Sequence, residues 1–243
     1  MSLPAVLFVH GMWADRGHWN RFQRRFERSG FETYAITLTG HERPQRPASL
    51  RHVGIIDYVT QVKAQLSAMP ALPVVLGHSM GALVAQKLAE SVPLRLLILL
   101  SPVAPGGISM VAPSVALCAS ANIADAVLQR PFRIPARNAM YGILNTLSTR
   151  EQRVVYGSFL YESGRALWEI MRGTIRVDES RVNCPVLVLV GSCDRATPPS
   201  VARRVAAKYG AEYREYDGRC HFMGAAPDVI DETVEWVVQQ VVS

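Results

Sequence analysis

The sequence is poor in lysine. Only Lys63, Lys87 and Lys208 occur in 243 residues, so the net charge of +6 is carried by arginine. Long apolar runs are also missing. The longest, residues 94–100, is interrupted by Arg95 and falls far short of the ~18 residues of a membrane helix, so no membrane span is expected. The N-terminus, Met1-Ser2-Leu3-Pro4-Ala5-Val6, has no basic n-region, and its apolar stretch stops at His10-Gly11. It reads as a first core strand and not as a signal peptide. Cysteine is sparse. Cys118, Cys184, Cys193 and Cys220 show no CxxC spacing, so no metal site is expected and a reducing, cytoplasmic compartment is the default. There is no internal repeat and no low-complexity segment. Arg21, Arg24, Arg25 and Arg28 cluster at helical spacing opposite Trp19, Phe22 and Phe26. An amphipathic helix with a solvated basic face accounts for this better than an acidic partner. No nucleic-acid-binding motif accompanies the cluster.

What is present is an alternation of short apolar runs and helical stretches. Strands are expected at residues 5–9, 33–38, 74–76, 96–100, 186–190 and 212–216. Helices are expected at 19–29, 53–68 (stopped by Pro70), 82–90, 200–209 and 229–242. This β-α-β-α order predicts an α/β protein with a doubly wound, mostly parallel sheet and helices on both faces. Several strands are continuously apolar, as burial on both faces requires. Between residues 100 and 186 the rhythm breaks. Residues 101–107 read as a loop, and about 108–180 as helical stretches rich in aromatics (Phe132, Tyr141, Tyr156, Phe159, Tyr161, Trp168). The expected organisation is a core in two parts, 1–105 and 181–243, separated by a helical insertion at 106–180.

In open α/β sheets, sites form beyond the carboxyl ends of the strands. Gly77-His78-Ser79-Met80-Gly81 follows the apolar run Pro73-Val74-Val75-Leu76 and opens a helical stretch. A G-x-S-x-G motif between strand and helix makes a turn too sharp for bulky neighbours, and it lifts the serine hydroxyl out of the backbone. Two further strand ends carry Asp194, in Gly191-Ser192-Cys193-Asp194-Arg195-Ala196-Thr197-Pro198, and His221, in Arg219-Cys220-His221-Phe222. Taken alone, Asp194 could be a turn residue and His221 merely structural. Together with Ser79, in this order and at these strand ends, they read as a nucleophile, an acid and a base. A serine hydroxyl needs an adjacent base at neutral pH. A histidine can take its proton and return it to the leaving group, and an aspartate can hold the imidazole tautomer.

These motifs, with His10-Gly11 at the end of the first strand, resemble the α/β-hydrolase superfamily, and within it small cytoplasmic serine esterases with a helical cap. The resemblance covers nearly the whole chain. It implies Ser79 as nucleophile, Asp194 as acid, His221 as base and the 106–180 insertion as the cap. It implies an oxyanion hole from the backbone N–H groups of Met80 and Met12, with Trp13 as an alternative second donor. Relatives often carry Gly-His-Gly where this chain has Gly40-His41-Glu42, so this loop departs from the pattern while still being expected near the site. His10 and His78 are expected to brace the turn. His18 and His52 carry no assigned role.

The insertion is apolar, with Met110, Met140 and Met171 and few acids before Asp178 and Glu179. That favours an apolar acyl or alcohol group. Trp13 and Trp168 are the expected substrate contacts. Arg130, Arg133 and Arg137, interrupted by Pro131 and Pro135, read as a solvated loop. Cys193 and Cys220 adjoin Asp194 and His221 in sequence, so oxidation there is an expectation to weigh against plain packing. The leading function is hydrolysis of a small-molecule carboxylic ester through an acyl-enzyme on Ser79, with no cofactor. Cofactor-free lyase or perhydrolase chemistry and a triad-bearing small-molecule receptor are the alternatives. Related lyases usually need an additional lysine, and no lysine here sits at a strand end.

Overall fold

The computed structural model describes residues 3–69 and 72–242. Pro70, read as a helix stop, lies outside the described residues. The chain runs β1 (Val6–Val9), α1 (Asn20–Arg28), β2 (Thr33–Ile36), α2 (Ile55–Leu66), β3 (Val74–His78), α3 (Met80–Ala89) and β4 (Leu96–Leu100). Five helices follow: α4 (Pro113–Ala119), α5 (Ile123–Val127), α6 (Ala136–Gly142), α7 (Thr149–Gly157) and α8 (Gly164–Arg172). The core resumes with β5 (Val186–Gly191), α9 (Pro199–Tyr209), β6 (Glu212–Tyr216) and α10 (Pro227–Val242).

The six strands form one sheet in the order β2-β1-β3-β4-β5-β6, and every pairing is parallel. Parallel neighbours need crossover helices, and these cover both faces. The period of two along each strand sorts the core. Leu7, Val9, Val75, Leu97, Leu99, Val188 and Val190 face α2, α3 and α9. Val6, Phe8, Val74, Leu76, Leu96, Ile98, Leu187 and Leu189 face α1 and α10. Trp19, Phe22 and Phe26 are fully buried there, so the apolar side of the first helix packs as its spacing predicts. On its basic side Arg25 pairs with Asp231 and Arg21 bonds the carbonyl of Ala225.

Strand order reverses between β1 and β3. The chain steps outward from β1 to β2, then returns to the other side of β1 and continues outward to β6. The carboxyl ends of β1 and β3 therefore flank the switch point, where a crevice opens in such sheets. Residues 106–180 carry short helices joined by loops, and their β pairing is limited to one isolated bridge between Phe132 and Glu162. They build small apolar clusters of their own, one around Ile134, Ala139, Ile143 and Leu144 and another around Ala126, Phe132 and Leu167. Trp13, from the loop after β1, packs into both. Its ring stacks on Phe159 at 6.1 Å and meets Phe132 edge-on at 5.9 Å, while its carbonyl accepts the N–H of Leu160.

Candidate active site

Ser79 sits between β3 and α3 with φ 55° and ψ −118°. A non-glycine residue adopts this conformation at a cost of order 1–3 kcal/mol, which the surrounding structure must supply. Its neighbours explain how. A Cβ on Gly77 would lie 2.4 Å from the carbonyl oxygen of Gly81, and one on Gly81 would lie 2.3 Å from that of Val9. The turn thus closes with backbone against backbone, and only glycine fits at either position. A Cβ on Gly11 would meet Ser79 Cβ at 2.9 Å, so the end of β1 also presses against the serine. The backbone of Ser79 is tied to the sheet by its N–H to Leu100 O at 3.0 Å.

Asp194 and His221 are brought together from the ends of β5 and β6. Both are buried, and His221 Nδ1 lies 2.8 Å from Asp194 Oδ2. Asp194 Oδ1 accepts the backbone N–H groups of Ala196 at 2.9 Å and Thr197 at 2.8 Å. Its two oxygens are thereby fixed, and the proton of the imidazole is directed to Nδ1, leaving Nε2 as the acceptor.

Thr197 was not anticipated as a site residue. Its buried hydroxyl is 2.9 Å from Asp194 Oδ2, 3.2 Å from His221 Nδ1 and 3.0 Å from the carbonyl oxygen of Ser101. One hydroxyl proton serves either Ser101 O or Asp194 at a time, so Thr197 cross-braces the pair and the end of β4. The sequence signal was its place three residues after Asp194 in an Asx-type turn.

The expected bracing histidines are found. His10 Nε2 accepts the N–H of Leu38 at 3.0 Å while Nδ1 donates to Gly11 O at 2.8 Å. His78 Nε2 donates to the carbonyl of His221 at 3.1 Å, joining the serine turn to the histidine loop. Burial, and then the neighbouring imidazoles, hold both pKa values well below the ordinary value. His18, without an assigned role in the sequence, stacks on His78 at 4.8 Å. Burial and the nearby His221 pull its pKa down to about 4.

Gly40-His41-Glu42 does fold back, with a partner that sequence reasoning missed. His41 Nε2 lies 3.1 Å from Glu162 Oε2, and Tyr58 donates its hydroxyl to Glu162 Oε1 at 2.8 Å. Both His41 and Glu162 are fully buried. Burial pulls the His41 imidazolium down, but Glu162 and the carbonyls of Thr39 and Leu38 outweigh it, and the pKa is raised. This buried pair joins the loop after β2 to the helical insertion.

Ser79 and His221 open onto one cavity of about 670 Å³ between the sheet and the insertion. Met12, Trp13 and Thr197 also line it. Its walls are apolar, with Ile108, Met110, Val115, Phe132, Ile134 and Leu167 prominent. Among the described residues the Ser79 hydroxyl forms no hydrogen bond. Such contacts commonly tighten only when substrate is bound. Met80 is the first residue of α3, so its N–H has no intrahelical acceptor.

Trp168 does not line the cavity. It packs behind the wall against Ala126, Phe132 and Leu167, because the side of α8 that faces the cavity carries Leu167, Ile170 and Met171 instead. Arg133 is not simply solvated, since it bonds Tyr156 O at 2.7 Å and covers the Tyr156 ring. All four cysteines are free, with Cys220 buried and Cys193 half-buried. Among the described residues no cluster of His, Cys, Asp or Glu could hold a metal ion.

Comparison with known proteins agrees with this architecture. A model of the alpha/beta hydrolase family matches residues 6–233. This chain belongs to the alpha/beta hydrolase family. Solved structures of similar fold include a monoacylglycerol lipase from Paleococcus ferrophilus (20% identity, TM-score 0.73, 99% of this chain and 97% of that one). They include polyneuridine aldehyde esterase (14% identity, TM-score 0.74, 97% and 99%) and tomato methylketone synthase I complexed with 2-tridecanone (14% identity, TM-score 0.75, 99% and 100%). At these identities the likeness to the solved structures is one of fold.

Proposed function

We propose that this alpha/beta hydrolase cleaves carboxylic esters through an acyl-enzyme on Ser79. The observation that carries the proposal is the strained Ser79 at the head of α3, sharing one cavity with a buried His221 whose Nδ1 is 2.8 Å from Asp194. His221 Nε2 takes the Ser79 proton as Oγ attacks the ester carbonyl carbon. The carbonyl π pair moves to oxygen, and the N–H groups of Met80 and Met12 receive the oxyanion. The dipole of α3 adds to the field there. Donors of this kind typically contribute about 10²–10³ in rate. Collapse expels the alkoxide, which leaves as the alcohol after taking the proton from His221. Water, deprotonated by His221, then attacks the acyl-Ser79 carbonyl, and a second tetrahedral intermediate releases the acid and restores the serine. Asp194 stabilises the imidazolium in both halves.

The apolar cavity supports an ester with an apolar acyl or alcohol group, Trp13 contributes to its wall, and residues 106–180 act as the cap over it. The unpaired cysteines support a reducing, cytoplasmic location. Among the described residues no lysine lines the cavity, which weighs against a lyase of the kind that needs one.

Steady-state hydrolysis of p-nitrophenyl esters of increasing acyl length tests the reading. Wild type should turn over, and Ser79→Ala should lose about 10⁴–10⁶ of kcat, as removal of such a nucleophile does. Equal rates in both proteins would overturn it.

A further inference from the structure

The cavity is not uniform along its length. Ser79 and His221, with Thr197 3.2 Å from His221 Nδ1, mark its reactive part. Elsewhere its lining includes the loop from Gly107 to Ala112 and the segment Met171, Arg172, Gly173 and Arg176. Both of these segments are largely exposed, Val111 being 90% so, and they form the mouth. Among the described residues, no Asp, Glu or Lys lines the cavity. Among the described residues, Arg172 and Arg176 are the arginines that line it.

The mouth is held in shape by close backbone contact. Gly106 N–H donates to Ile175 O at 2.7 Å, and a Cβ on Gly106 would lie 2.1 Å from the carbonyl oxygen of Gly173. Gly173 ends α8 in the left-handed conformation at φ 60°, which turns the chain so that Arg172 and Arg176 flank the opening. The Arg176 stem lies against Gly106, its Cγ 3.1 Å from where a Cβ would stand. The Arg172 guanidinium lies over the Trp168 ring at 5.6 Å. Trp168, displaced from the cavity wall, therefore supports the mouth from behind. Neither guanidinium has an ion-pair or hydrogen-bond partner among the described residues. Lys87 donates to Arg176 O at 2.9 Å but is ion-paired with Glu90, so that pair adds no net charge nearby.

An apolar cavity that holds a reactive serine, with two exposed guanidinium groups free of ion pairs in its lining, matches an amphiphile with an anionic terminus. We infer that the substrate is an ester whose apolar chain ends in an anionic group, a carboxylate or a phosphate, bound by Arg172 and Arg176 at the cavity mouth. This rests on the proposed hydrolase chemistry at Ser79. An arginine pairs such oxyanions through charge-assisted, often bidentate hydrogen bonds, and no existing ion pair has to be broken first.

The test compares three esters of the same chain: the monomethyl ester of a linear dicarboxylic acid, its neutral dimethyl ester, and the methyl ester carrying a terminal phosphate. A length series is used, with wild type and the double variant Arg172→Gln/Arg176→Gln. Wild type should prefer at least one anionic ester over the neutral diester by about tenfold or more in kcat/KM, as expected for a charge-assisted hydrogen bond. The larger of the two anionic preferences names the carrier. The ratio should fall toward one in the double variant, and should shrink in high salt because the mouth is exposed. A neutral diester cleaved as well as both anions, with Ser79 still required, would overturn the inference and leave the hydrolase reading intact. Binding of the same three compounds to Ser79→Ala, by calorimetry, separates the two ideas further. An anion preference in binding without turnover by wild type would sink the hydrolase chemistry alone, and no preference in binding or turnover would sink the inference about the mouth.

Discussion

At the scale of single residues, the site depends on two kinds of constraint, contact and orientation. Gly81 illustrates contact. An added methyl would stand 2.3 Å from Val9 O and 2.4 Å from His10 O, neither of which can move without shifting β1. Gly81→Ala should lower stability by about 3 kcal/mol or more, in the range of severe steric insertions, measured as a shift of the urea midpoint. Thr197 illustrates orientation. Thr197→Val keeps the shape but removes the hydroxyl that braces Asp194, His221 and Ser101. A hydrogen bond to a charged group contributes about 1.5–3 kcal/mol, so kcat should fall about 10- to 100-fold with KM little changed. A rise in KM at constant kcat would instead place Thr197 among the substrate contacts. Ser79, Asp194 and His221 were legible because G-x-S-x-G and the two strand-end turns are local patterns. Thr197 was less so, because two of its three partners, Ser101 and His221, lie on other segments. Trp168 was misplaced because aromatic content says nothing about which side of a short helix faces the cavity.

At the scale of elements, four buried or partly buried histidines give the fold two opposed responses to pH. His10 and His78 are held neutral by burial and by neighbouring imidazoles, and His18 titrates near 4. Between the ordinary value of about 6.5 and these lowered values, the unfolded chain binds protons that the folded chain refuses, so stability falls as pH falls through that window. His41 acts oppositely. Its raised pKa stabilises the fold fully below about 6.5, and that contribution is lost as pH rises through the folded value. With the His41 contribution constant below about 6.5, the other three should make the urea midpoint drop between pH 6.5 and 4. An unchanged midpoint would show that these rings are protonated in the fold. The His41–Glu162 pair, which joins the loop after β2 to the insertion, has its own signature. Glu162→Gln should cost about 3 kcal/mol, as expected for breaking a buried pair, and more at pH 6 than at pH 9, because the unpaired imidazolium is then disfavoured in the folded state. An equal cost at both values would contradict the ion pair. Nothing in the local sequence joins His41 to Glu162, since 120 residues lie between them and the pairing exists only once the insertion docks.

At the scale of the whole molecule, the sheet order puts the ends of β1 and β3 on either side of the switch point, and β5 and β6 deliver Asp194 and His221 to the same edge. That much follows from reading strands and crossovers in sequence, because runs such as residues 96–100 and 186–190 are apolar on both faces and admit few other placements. The path of the insertion was not legible beyond its helical character. Its helices are short, several lack side-chain caps, and their packing is decided by contacts such as Trp13 with Phe132 and Phe159 that cross from the core. The distribution of arginine around the cavity mouth likewise appears only in three dimensions.

The most direct test of the central claim is covalent labelling of the native protein with a fluorophosphonate ester, followed by peptide mass mapping. Attack by an activated serine displaces fluoride and leaves a stable phosphonylated residue. A single adduct on Ser79 is expected, absent from Ser79→Ala and strongly slowed in His221→Ala. Labelling at another residue, or none on Ser79 under conditions that label a control serine hydrolase, would contradict it.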